Sequence, residues 1–78
     1  MVEIEFYDYI ENNELILSTT SDIVPYVNER IFIGNTNSMI EYSVSDVVNY
    51  YKVVEYQGML IEKKIVYVRK VGRAANVY

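Results

Sequence analysis

The chain opens on a run in which every second residue is apolar. In "VEIEFYDYI", Val2, Ile4 and Phe6 point one way and Glu3, Glu5 and Tyr7 the other. That period of two marks a half-buried strand with an acidic face in water. "ENNE" (11–14) interrupts it, and Asn12 and Asn13 tolerate the positive φ of a tight hairpin. "LILST" is therefore expected to return as the second strand, and the polar "STTSD" (18–22) to leave the hairpin. "IVPYVNER" carries the single proline, Pro25, which cannot donate to a sheet ladder and holds Val24 extended. It reads as an extended crossover into a sharp corner at Asn28–Arg30. "RIFI" follows as a short buried strand, and "GNTNS" (34–38) offers the turn formers to close a second hairpin.

"MIEYSVSDVVNYYKVVEY" is long for one straight strand. Ile40, Tyr42 and Val44 share a face, with Tyr42 in the core, but Val47 falls on the opposite parity. A β-bulge near Ser45–Asp46 accounts for this, since one inserted residue bends a strand and resets which side chains face inward. A helix starting at Ser45 is the competing reading, because "SDVVNYY" begins with an N-cap candidate. The β-branched and aromatic content of the run argues for the strand. "YQG" (56–58) makes a turn, and "LIEKKIVYVRKV" is the last strand, with Val66 and Val68 inward and Lys64 and Tyr67 outward. "GRAANVY" loses the alternation. It reads as a C-terminal tail, 72–78, beyond a single domain spanning 1–71, with Val77 and Tyr78 docked on the barrel or on another chain.

These elements amount to an all-β chain of five or six short antiparallel strands. So small a sheet must curl to hide its edges, which points to a small Src-homology-3-like barrel; a twisted sheet completed by another subunit is the alternative. "VPYVNERIFIG", "YSVSDVVNYY" and "IVYVRKV", within residues 23–71, resemble short small-barrel proteins of bacteriophages and bacterial mobile elements. In those the corner reads valine-glycine-aspartate; here it reads Val27-Asn28-Glu29, with Asn28 able to take the left-handed conformation in place of glycine. The resemblance implies a Src-homology-3-like barrel and a phage-type origin. It leaves function open, because one fold hosts unrelated activities.

Composition narrows the chemistry. The 78 residues hold no Cys and no His, which removes disulfides, thiolate chemistry, the usual general base and the commonest metal ligand. Stability must come from core packing, with oligomerisation as a possible aid. No apolar run approaches the roughly 18 residues of a membrane helix, and the acidic-apolar opening is unlike a secretory signal. A cytoplasmic or virion-associated location is expected. The net charge of −4 is unevenly placed: residues 1–40 carry seven acids against Arg30, residues 41–78 four acids against six bases. Such a split can make a dipolar surface that steers a partner, or simply two solvated faces.

Catalytic signals are weak. No His is available to activate a serine, and no Ser–Lys pair is evident. Glu3/Glu5 share a strand face and Glu11/Glu14 flank a turn, where solvated acids are the default. Gly34, Gly58 and Gly72 stand apart rather than in a phosphate-binding loop. "ENNE" offers oxygen ligands but lacks the spacing of a calcium loop. The expectation is a non-enzymatic protein with no cofactor, no metal and no small-molecule substrate.

The nine tyrosines are the most suggestive feature. Tyrosine joins a large apolar ring to a polar tip, which suits contact surfaces, although it is also an ordinary outward residue on strands. Tyr7, Tyr9, Tyr26, Tyr50, Tyr51, Tyr56, Tyr67 and Tyr78 are the candidate protein-binding residues. Self-association or a protein partner is expected, in the role of a structural or assembly component. Two other readings stay open. The acids Glu3, Glu5, Asp8, Glu11 and Glu14 could mimic nucleic acid and block a basic host enzyme. Alternatively, the tyrosines could stack bases of a single strand beside Lys52, Lys63, Lys64, Arg69 and Lys70. The acidic total speaks against the second.

Overall fold

The computed structural model describes residues 2–35, 37–55 and 58–75. They form β1 (Val2–Asp8), β2 (Glu14–Ser21), β3 (Arg30–Gly34), β4 (Met39–Val54) and β5 (Gly58–Ala75), with no helix among them. The strands make a single sheet in the order β2-β1-β5-β4-β3, curled into a half-barrel.

Local chemistry sets each junction. Asn12 (φ 56°) and Asn13 (φ 55°) occupy the two central positions of the β1–β2 turn, which Glu14 closes by donating its N–H to the Glu11 carbonyl at 3.1 Å. Positive φ at both positions gives the turn the twist that matches its flanking strands. Gly34 ends β3 where the chain doubles back closely; a Cβ there would stand 2.9 Å from the Met39 Cα. The corner at Asn28 takes φ 74°, as its asparagine foretells. Asn28 N–H donates to the Val44 carbonyl at 2.8 Å and Val44 N–H to the Glu29 carbonyl at 2.9 Å, so the crossover is stitched to β4 immediately before the bulge. The register of β4 against β5 shifts between Val44 and Asp46, and the segment from Ser45 is strand, not helix.

Two expectations are corrected. The sheet is mixed rather than wholly antiparallel: β1 lies beside β5 in parallel, with Phe6 facing Val66 and Asp8 facing Val68. Residues 22–29 reverse the chain between β2 and β3 as a hairpin would, so β5 arrives beside β1 running the same way. The half-barrel also leaves β2 and β3 as its two edges. Secondly, β5 continues to Ala75, with Ala74 opposite Ile40 and Ala75 opposite Met39. Residues 72–75 therefore belong to the sheet and not to a tail; Val77 and Tyr78 lie outside the described residues.

The core lines the concave side. Ile4, Phe6, Tyr42, Val44, Val66 and Val68 are buried against one another, with Ile31, Ile33, Ile40 and Val47 packed around them. Val47 rejoins the core after the bulge, as its shifted parity requires. Each fully buried aliphatic side chain stabilises the fold by roughly 1.5–3 kcal/mol.

Candidate protein-binding site

The crossover that reverses the chain also walls a cleft. Leu17, Thr19 and Ser21 from β2 face Ile31 and Ile33 from β3 across it. Ile4 and Phe6 lie at its floor, and Ile23 through Tyr26 close one side. The cavity is about 340 Å³. Its rim carries apolar groups that the core leaves uncovered: Ile23 is 83% exposed and Tyr26 79% exposed, with Leu17 and Phe32 also exposed. Glu29 is the charged residue of the lining, and its Oε1 is occupied by the Tyr26 N–H at 2.7 Å. The cleft thus presents hydrocarbon and hydroxyl groups between two strand edges. Such a surface is suited to contact with apolar side chains and strand backbone.

The candidate tyrosines among the described residues divide among four places. Tyr7, Tyr50 and Tyr67 gather on the convex face around Ile65 and Lys63. The Tyr7 and Tyr67 rings lie 6.2 Å apart, Tyr7 hydroxyl donates to Glu5 Oε1 at 3.2 Å, and Lys63 Nζ reaches that oxygen at 3.5 Å. Lys63 Nζ also stands 5.7 Å from the Tyr50 ring centre, within cation–π range. Desolvation against the sheet and the Glu5 carboxylate push the Tyr7 phenol above its usual range, while Glu5 raises the Lys63 ammonium. Tyr26 stands at the cleft, away from this cluster. Tyr9 accepts a hydrogen bond from Ser45 Oγ at 3.3 Å, and Tyr51 is exposed on the outer part of the β4–β5 hairpin. Tyr56 lies outside the described residues, as does Tyr78.

Leu17, Ile23 and Phe32, which complete the cleft, were not singled out by sequence. Ile23 alone carried a signal, as an isoleucine placed directly after a polar breaker. Asp8 also differs from expectation. It is buried, 2% exposed, and its Oδ1 accepts the N–H groups of Ile10 and Glu11 at 3.1 and 3.2 Å. With Asp8 buried and Glu5 paired to Lys63, the acidic face of the N-terminal hairpin loses two of its five carboxylates. The two halves of opposite charge are also brought side by side, since Glu3 of β1 stands opposite Lys63 of β5. The bases are divided too: Lys63 belongs to the convex cluster, whereas Lys64 borders a recess with Pro25 and Asn49.

Among the described residues no group of three acidic side chains is placed to hold a metal ion. Comparison with protein-family models, curated proteins and solved structures finds no match for this chain.

Proposed function

We propose that the protein is a non-catalytic protein-binding module of Src-homology-3-like, phage type, serving as an assembly component. Its binding site is the cleft between β2 and β3, and the occupant is an extended apolar segment of a protein partner. The observation that carries this reading is the exposure of Ile23 and Tyr26 at the mouth of an apolar cavity. Small soluble domains rarely leave such a cluster in water without a use for it. The largely apolar lining, with Glu29 already engaged by the Tyr26 N–H, selects hydrocarbon, and the flanking edges can pair with an extended backbone.

Capture of a partner on the immobilised protein, with mass spectrometry to identify it, provides the test when done with variants. Ile23→Glu and Tyr26→Glu change exposed side chains and are expected to retain the fold. Both should lose the captured protein, while Val53→Glu, on the distant hairpin, should keep it. Retention of the same partner by both cleft variants would overturn the reading.

A further inference from the structure

The outer edge of β4 offers a second surface, separate from the cleft. β3 covers β4 only from Met39 to Ser43, and Asn28 and Glu29 occupy the backbone groups of Val44. From Ser45 to Val54, β4 pairs with β5 on one side, and among the described residues no strand lies on the other. A long strand edge of this kind is a template for pairing with another strand. Val47 N–H is met by the Asp46 carboxylate at 2.9 Å, so a side chain stands where a neighbouring strand would supply a carbonyl.

The residues along this edge read "DVVNYYK", from Asp46 to Lys52, and their chemistry is self-complementary about Asn49. We propose that two copies of the protein join their β4 edges in antiparallel fashion, with Asn49 opposite Asn49 on the two-fold axis. In that register Asp46 faces Lys52 of the second copy, Val47 faces Tyr51, and Val48 faces Tyr50, each pair occurring twice. Opposite-charge and aromatic–β-branched pairs are the combinations that stabilise cross-strand neighbours.

Symmetry restricts the alternatives. A two-fold axis normal to the sheet keeps convex side with convex side, so the pairing must centre on a residue. Centring on Val48 sets Asp46 against Tyr50, and centring on Tyr50 sets it against Val54; only Asn49 brings acid to base. The join makes a ten-stranded sheet from two half-barrels and covers the exposed Tyr50, Tyr51 and Lys52 edge. It leaves the cleft between β2 and β3 open, so it does not depend on the function proposed for that cleft.

The absence of cysteine from the chain makes crosslinking a clean test. Directly opposed residues of an antiparallel pair have Cα atoms about 4.5–5.5 Å apart, inside the range of a disulfide. Asn49→Cys should form a covalent dimer under mild oxidation. Val47→Cys alone should not, because its counterpart lies roughly 13 Å away along the strand. A mixture of Val47→Cys and Tyr51→Cys should crosslink as a heterodimer. In sedimentation runs, Asp46→Lys and Lys52→Asp should each weaken the dimer by roughly tenfold, and the double variant should restore it. Circular dichroism of each variant separates a lost fold from a lost dimer. A monomer at every concentration, or crosslinking at position 47 as fast as at 49, would overturn the proposal. So would a dimer that Ile23→Glu abolishes and the charge reversals leave intact.

Discussion

β4 and β5 pass through two quite different environments. In the body of the molecule β1 flanks β5 and β3 flanks β4, and Val44, Val66 and Val68 have no exposed surface. Beyond the start of β1 the same two strands continue as a bare hairpin, with Tyr51 opposite Ile61 and Val53 opposite Met59, which helps stretch the molecule to 50 × 23 × 19 Å. Val53 there is 74% exposed. Sequence composition hardly differs between the two stretches, both being rich in valine and tyrosine. What differs is the number of neighbouring strands. Burial in a curled sheet is conferred by what lies beside and across the concave side, while strand length is set by the hairpin ladder itself.

The largest expected effect tests that contrast directly. Val66→Asp places an unpaired carboxylate in the core and should cost on the order of 4 kcal/mol or more, enough to unfold a domain of this size. Val53→Asp should change stability by less than about 0.5 kcal/mol, as exposed substitutions usually do. Urea unfolding followed by far-ultraviolet circular dichroism reads both. Comparable losses would show that the outer hairpin shares the core's cooperativity, and the contrast between body and arm would fall.

A smaller effect compares two acids three residues apart. Asp8 lies at the end of β1 within the body, its Oδ1 holding two backbone N–H groups, whereas the Glu11 side chain is exposed in the adjoining turn. Asp8→Ala should cost about 1–3 kcal/mol, the usual range for losing hydrogen bonds to a charged acceptor, here a buried carboxylate that holds two backbone N–H groups. Glu11→Ala should cost less than about 0.5 kcal/mol. Equal values in thermal melts would show that the turn does not need its internal carboxylate.

Much of this architecture is legible in the sequence where local rules act. Asn12, Asn13 and Asn28 announced positive φ, and the slip in parity between Val44 and Val47 located the bulge. The inward set of β5, Val66 and Val68, followed from alternation. The parallel pairing of β1 with β5 did not follow from any short stretch, although four reversals of direction require it once those strands are neighbours. By residue type Asp8 reads as part of a solvated acidic face; its own strand parity, shared with Ile4 and Phe6, places it inside. The cleft was the least legible part. Leu17 and Phe32 are ordinary strand residues until the curl of the sheet brings β2 and β3 to face one cavity.

The smallest effect is a pH dependence that the buried half of β4 brings through its core tyrosine. Burial, together with the nearby carboxylates of Asp8 and Glu14, raises the Tyr42 phenol above its usual value of 10.0. In the unfolded chain that phenol ionises near 10, while in the fold it keeps its proton to higher pH. The unfolded state then binds fewer protons than the native state, so stability must fall as pH rises from about 10 through the folded value. Tyr7, raised by desolvation and then by Glu5, and Lys63, raised by Glu5, act in the same direction. Melting temperatures measured from about pH 8 to about pH 11.5 should therefore decline on the alkaline side, and the decline should be shallower in Tyr42→Phe. Glu5→Gln should flatten part of what remains. If Tyr42→Phe left the alkaline limb as steep as in the wild type, the buried half of β4 would not hold the ionisation that weakens the fold, and its burial would not set it apart from the bare half.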